Sequence, residues 1–72
     1  MLLTTLPIGR KGEITELTAR GGQRRRLLDL GLIPGTTITA KRKSPSGDPT
    51  AYLIRGTILA LRKEETDLVE VI

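Results

Sequence analysis

The sequence predicts a small, mainly β protein: an antiparallel barrel of about five short strands with one short inserted helix. Short apolar segments separated by turn residues follow one another along all 72 residues. A helical period longer than one turn occurs only over residues 23–30. Strands that adjoin in sequence pair as antiparallel neighbours, and closing them into a barrel removes their exposed edges.

The first strand is expected over residues 13–19, where Ile14 and Leu17 are the apolar positions. These two residues are three apart, whereas side chains on one face of a strand are two apart. We therefore expect a β-bulge or a strand end near Thr15 and Glu16.

The helix over residues 23–30 has Leu27, Leu28 and Leu30 clustered on one side. Two helical turns are marginal alone, so these leucines must dock on the sheet. Gly31 stands where a left-handed C-terminal cap requires glycine, with Leu32 able to fold back on the last turn, and Pro34 prevents continuation.

The remaining strands follow from alternation and turn residues. Residues 36–43 alternate, with Ile38 and Ala40 on one face, and residues 44–49 form a loop. Residues 52–54 and 57–61 flank Arg55-Gly56, which predicts a two-residue hairpin. A helical turn or polar loop over 63–66 precedes a closing strand over 67–72.

The hairpin is apolar on both faces. Tyr52, Ile54, Leu59 and Leu61 share one face, and Leu53 and Ile58 lie on the other. We expect the helix to cover the second face, with a partner protein as the alternative.

Four glycines are interpreted as cap or turn positions that require a positive φ or leave no room for a Cβ: Gly31, Gly35, Gly47 and Gly56.

Composition excludes several function classes. The chain is long enough for one domain, residues 1–72, and has no His and no Cys. It therefore lacks imidazole and thiolate metal ligands, a Cys or His nucleophile and disulfides, and we expect no enzyme activity. The apolar residues 1–8 are too short for a membrane span, and without a signal peptide the protein is expected in the cytoplasm.

The net charge of +4 is distributed unevenly. Residues 1–43 carry nine basic and three acidic side chains, and residues 44–72 carry three basic and five acidic ones. A basic first half suits an acidic partner surface or nucleic acid, while solubility alone is the simpler explanation.

Several motifs together resemble the FeoA family of the bacterial and archaeal ferrous-iron uptake system. They are Arg26-Leu27, Leu30-Gly31, Pro34-Gly35, Gly47-Asp48-Pro49, Arg55-Gly56 and 59–62. Their order and spacing span nearly the whole chain. The resemblance implies an SH3-like barrel with a helix after the first strand. It also implies an accessory protein that binds the cytosolic GTP-binding region of the FeoB transporter, with no cofactor and no small-molecule substrate.

The candidate partner-binding residues are four cations and one tyrosine: Arg24, Arg25, Lys41, Lys43 and Tyr52. We refer to the four cations as the predicted patch, which would meet acidic side chains on the transporter. A solvated helix face is the simpler interpretation of the arginines, and one or two of 24–26 are expected to lean on the barrel. The simpler interpretation of Tyr52 is a core or rim position with its hydroxyl in water.

A metal site is not expected. The available ligands are oxygens, from Asp48, Glu64, Glu65, Asp67 and Glu70, which favour hard ions over ferrous iron. A solvated acidic turn explains them better, so the sequence predicts no intrinsic iron site.

Two other functions fit the charge or the fold. One is nucleic-acid binding, although the single Tyr and the absence of Phe and Trp leave little for base stacking. The other is a stand-alone relative of the C-terminal domain of iron-dependent repressors. The doubly apolar hairpin also allows a weak homo-oligomer.

Overall fold

Strand β1 (Lys11–Leu17) joins two parts of a five-stranded antiparallel sheet in the computed structural model, which describes residues 1–72. The other elements are a 3-10 turn (Leu3–Thr5), helices α1 (Gly21–Asp29) and α2 (Lys63–Thr66), and strands β2 (Thr37–Lys43), β3 (Thr50–Ile54), β4 (Thr57–Leu61) and β5 (Val69–Val71). The strand order is β4-β3-β2-β1-β5. This architecture confirms the predicted mainly β fold with a short inserted helix. The expectation that closure removes the exposed strand edges is wrong, because β4 and β5 do not pair with each other.

The bulge expected in the first strand is present. Residues 11–13 of β1 pair with β2, and residues 14–17 pair with β5, with a register shift between Ile14 and Glu16. Gly12 is buried where the two parts meet, and a Cβ there would lie 3.3 Å from Val71 Cβ. The strand begins at Lys11, two residues earlier than predicted, because its first residues are held by β2.

Helix α1 ends as predicted, at a left-handed glycine. Gly31 has a φ of +101°, its N–H donates to the Leu28 carbonyl at 2.9 Å, and the Leu32 N–H donates to the Leu27 carbonyl at 3.0 Å. This pair of bonds is a Schellman motif. Leu27 and Leu32 are both fully buried, so the motif also anchors the helix end in the core.

The β3–β4 hairpin has the predicted register: Ile54 opposes Thr57, Leu53 opposes Ile58 and Tyr52 opposes Leu59. Arg55 and Gly56 both have positive φ, the conformation of a two-residue turn whose twist matches the strands. Gly35 and Gly47 also adopt positive φ.

The expectation that the helix covers the second face of this hairpin is wrong. Ile58 is 56% exposed and Leu53 is half-buried. The leucines of α1 instead join the core formed by the inner faces of the strands, where Leu27 is fully buried and Leu28 and Leu30 pack against it. No apolar residue of α1 remains for the outer face. Neither helix has the length and hydropathy that a bilayer-crossing segment requires.

Side-chain hydrogen bonds connect helix α2 to the N-terminal 3-10 turn. The Thr4 hydroxyl donates to Asp67 Oδ1 at 2.5 Å and lies 2.7 Å from the Thr66 hydroxyl, and Lys63 Nζ donates to Asp67 Oδ2 at 2.8 Å. The hydrogen bond from Lys63, followed by that from Thr4, lowers the pKa of Asp67 below its usual 3.8.

Replacing Gly31 by alanine should destabilise the protein by about 1–2 kcal/mol, because an L side chain at a left-handed φ is strained. A Cβ there meets no atom within 4 Å, so the cost is conformational. Gly22→Ala is the control, since a Cβ there also meets no atom within 4 Å. Because Gly22 lies inside α1, where alanine is preferred to glycine, Gly22→Ala should raise stability by up to about 1 kcal/mol. Urea unfolding measures both, and equal effects would contradict the role of Gly31.

The Asp67 carboxylate should make stability depend on pH at the acid end. Its pKa is lower in the folded state, so its contribution is present above the ordinary value of 3.8 and is lost as pH falls through the folded-state value. Asp67→Asn should therefore lose less stability than the unmodified protein between pH 7 and about pH 2 in urea unfolding. The control is Asp29→Asn, at an exposed residue outside any ion pair. It should lose as much stability over this pH range as the unmodified protein.

Candidate functional site

The three consecutive arginines of α1 point in different directions, because successive residues of a helix are about 100° apart. Arg24 Nη1 donates to the Leu17 carbonyl at 2.9 Å, at the end of β1. Arg26 forms an ion pair with Glu65 of α2. Arg25 is exposed and enters no side-chain hydrogen bond or ion pair. Of the two arginines of the predicted patch, Arg25 is thus free and Arg24 is engaged with the barrel.

The lysines of the predicted patch lie on β2, with Lys41 at a second irregularity and Lys43 two residues after it. Ala40 opposes Tyr52, but Arg42 opposes Ala51 and Lys43 opposes Thr50, with a register shift between Ala40 and Arg42. Lys41 and Lys43 are exposed, but the extra residue changes which side chains share a face. Arg42 is therefore the cation aligned with Ala51 on the outer face.

Tyr52 is not a surface contact, which corrects the prediction for this residue. Its side chain is only 2% exposed and belongs to the core. It faces inward because it shares the inner face of the hairpin with Ile54. Burial raises the pKa of the Tyr52 hydroxyl, and the neighbouring Thr50 and Thr66 hydroxyls act in the opposite direction.

Two adjoining surface cavities meet at Pro49 and Ala60. One, of about 450 Å³, is also lined by Arg26 and Arg62, and the other, of about 370 Å³, is also lined by Arg42 and Lys43. We call this continuous depression the groove. Its walls are cationic, and its floor consists of small apolar residues.

Arg26, Arg42 and Arg62 are not among the site residues predicted from the sequence. They come from α1, from β2 and from the residue that follows β4, and no local spacing relates them. The pairing of β2 with β3 and of β3 with β4 brings Arg42 and Arg62 to one depression, and the ion pair with Glu65 holds Arg26 of α1 beside them.

Glu65 fixes one wall of the groove. It is 7% exposed, and its Oε1 accepts the Arg62 N–H at 3.1 Å, while the Glu65 N–H donates to the Arg62 carbonyl at 2.9 Å. Its second oxygen meets the Arg26 guanidinium in the ion pair that links α1 to α2. A buried carboxylate needs such a charged partner, because burial of an isolated charge is costly.

Most of the acidic residues considered as metal ligands have other partners. Asp48 accepts the Lys63 N–H at 3.0 Å, Asp67 binds Lys63 and Thr4, and Glu65 binds Arg26. The structure contains no group of three or more His, Cys, Asp or Glu side chains that could hold a metal ion.

A family model described as the FeoA domain matches residues 1–72. The chain belongs to the FeoA family. This membership confirms the resemblance found in the sequence motifs.

A curated relative joins this domain to a transporter. The chain is 35% identical over 71 residues to an Fe(2+) transport protein A/Fe(2+) transporter FeoB fusion protein of Porphyromonas gingivalis. The match covers 99% of this chain and 8% of that protein, so the chain spans a small part of the relative's length. Members of the FeoA family are thus involved in ferrous-iron transport.

Solved structures of the family share the fold. Iron(II) transport protein A of Clostridium thermocellum is similar with a TM-score of 0.94 and 35% identity, over 99% of this chain and 44% of that one. The zinc complex of Stenotrophomonas maltophilia FeoA is similar with a TM-score of 0.88 and 29% identity, over 100% of this chain and 89% of that one. That protein is described as a prokaryotic SH3 domain protein and a candidate ferrous-iron-transport activating factor. Zinc in proteins favours Cys and His, neither of which this chain contains.

Removing Arg26 should destabilise the fold, because it leaves the buried Glu65 carboxylate without its cation. Arg26→Met keeps much of the side-chain volume and should cost about 1–3 kcal/mol in urea unfolding. Arg25→Met changes the same charge one residue away, where no ion pair exists, and should cost less than about 0.5 kcal/mol. Equal losses in the two variants would show that the ion pair contributes nothing specific.

Proposed function

We propose that this FeoA-family protein is a cytoplasmic accessory protein of ferrous-iron uptake. In this proposal it binds the cytosolic GTP-binding region of an FeoB-type transporter and supports its activity. It does so by binding alone, without catalysing a reaction.

The fusion of FeoA and FeoB in the Porphyromonas gingivalis relative is the observation that carries this proposal. Two functions joined in one chain work at a common place at a high effective concentration. A separate FeoA-family chain would act at the same place by binding the transporter.

The electrostatics of the surface support a protein interface. Three cations of the predicted patch, Arg25, Lys41 and Lys43, are exposed and belong to no ion pair. Acidic side chains on the transporter would be attracted to them, which mainly accelerates association and orients the two proteins. The chain offers neither an imidazole nor a thiol for catalysis, which favours a binding role.

The proposal is tested by titrating the soluble cytosolic region of an FeoB-type transporter into the isotope-labelled chain and following amide chemical shifts. We expect saturable shifts that weaken as salt increases, because exposed charges are screened. Arg25→Glu combined with Lys41→Glu should reduce the affinity at least about tenfold at low salt, since both changes replace attraction by repulsion.

The control is Arg55→Asp in the β3–β4 turn, an equal charge reversal per residue at a position with positive φ that aspartate tolerates. At physiological salt it should change the affinity less than about twofold, because a single charge outside the predicted patch is then largely screened. Absence of any shift at millimolar partner would refute binding to the cytosolic region.

A further inference from the structure

Strand β4 is an open edge of the sheet. It lies at one end of the strand order and pairs only with β3. In an antiparallel hairpin the residues alternate between bonding the partner strand and facing away from it. The closing pair Ile54–Thr57 sets this alternation, so the N–H and C=O groups of Ile58 and Ala60 face the open edge. None of the backbone bonds made outside the helices and strands involves residues 57–61.

The side chains of this edge are apolar and accessible. Ile58 is 56% exposed, and Ala60 is exposed beside the half-buried Ala51, to which it is paired. The strand has no charged residue and no proline. Proteins usually protect such an edge with a charge, a proline or a covering element, so this edge is suited to accept another strand.

The groove beside this edge is cationic. Arg42, Lys43 and Arg62 line it and take part in no ion pair, and Arg26 is the one lining cation with a charge partner. The lining of the groove contains two acidic residues, Glu64 and Glu65. A ligand that enters the groove therefore meets an excess of positive charge next to free main-chain groups.

We propose that β4 and the groove bind an extended acidic segment of a partner protein, which adds to the sheet as a sixth strand. Its main chain bonds the free groups of Ile58 and Ala60, its apolar side chains pack on Ile58, and its carboxylates bind Arg42 and Arg62. Main-chain bonds supply affinity in this mode of recognition, and the side chains supply specificity. This inference rests on the proposed function in taking the transporter's cytosolic region as the source of the segment.

A second copy of this chain is a poorer occupant. Pairing two β4 strands would bring the cations of both grooves together, including two copies of Arg62, which follows β4 directly. Like charges placed together at an interface oppose association. An acidic segment has the complementary charge.

Two kinds of variant test the proposal with the cytosolic region of the transporter. Ala60→Pro removes the N–H that faces the open edge without removing a bond to β3, and proline is tolerated on edge strands. Binding should weaken about fivefold, the value of one hydrogen bond. Ala60→Ser keeps the N–H and should bind like the unmodified chain.

The second variant, Arg42→Glu combined with Arg62→Glu, leaves the main chain of β4 unchanged. It should weaken binding at least about tenfold. Arg55→Asp, at the far end of the same hairpin, is the control and should have less than a twofold effect. If Ala60→Pro does not fold by circular dichroism, this charge variant decides.

A blocked peptide with the repeat Val-Thr-Glu-Thr tests the groove independently of the transporter, because its valines and glutamates lie on one face of an added strand. Its amide shifts should be confined to residues 58–62 and 42–43. A peptide of equal charge with proline in place of valine cannot donate the alternate main-chain bonds and should bind at least about fivefold more weakly.

The outcomes separate the two proposals. Binding of the transporter region that both groove variants leave unchanged, while Arg25→Glu with Lys41→Glu weakens it, overturns the groove and leaves the proposed function standing. No binding of that region, with peptide shifts in the groove, overturns the proposed function instead. Equal binding of the two peptides overturns strand addition, as does sedimentation that shows a dimer abolished by Ala60→Pro.

Discussion

The fold depends on β1 serving two neighbours at once. Its first residues pair with β2 and its last residues pair with β5, and the bulge between Ile14 and Glu16 lets one strand change direction between them. Gly12 permits the close approach of Val71 at this junction. Because β5 pairs with β1 and not with β4, the hairpin strand β4 is left at the opposite edge of the sheet. The open edge used in our proposal is thus a consequence of how β1 is shared.

Helix α1 then determines the shape of the surface beside that edge. Leu27 and the Schellman motif at Gly31 hold the helix against the core. In this orientation Arg24 contacts the end of β1 and Arg26 contacts Glu65. The Arg26–Glu65 ion pair links two short helices that would be marginal alone. One triplet of arginines thus provides a structural bond, a wall of the groove and one free surface charge.

The chain belongs to the FeoA family, which is involved in ferrous-iron transport, and its geometry supports the proposed mode of binding. An SH3-like barrel has a small surface, and most of its aliphatic side chains are used for the core. What remains for a partner is main chain at the β4 edge and charge along the groove. Binding of this kind gains from electrostatic steering and from an extended segment that needs little preformed structure.

The sequence by itself determined the elements whose signals are local. The turn at Arg55-Gly56 and its register, the helix stop at Gly31 and the bulge after Ile14 each depend on residues close together in the chain, and each was confirmed. Only the tertiary structure decided which side chains are buried and which surface residues lie together. It buried Tyr52, left Ile58 exposed and gathered Arg26, Arg42 and Arg62 around one groove. Those outcomes depend on strand pairing between distant segments and on competition among leucines for a single core, and neither is encoded in local spacing.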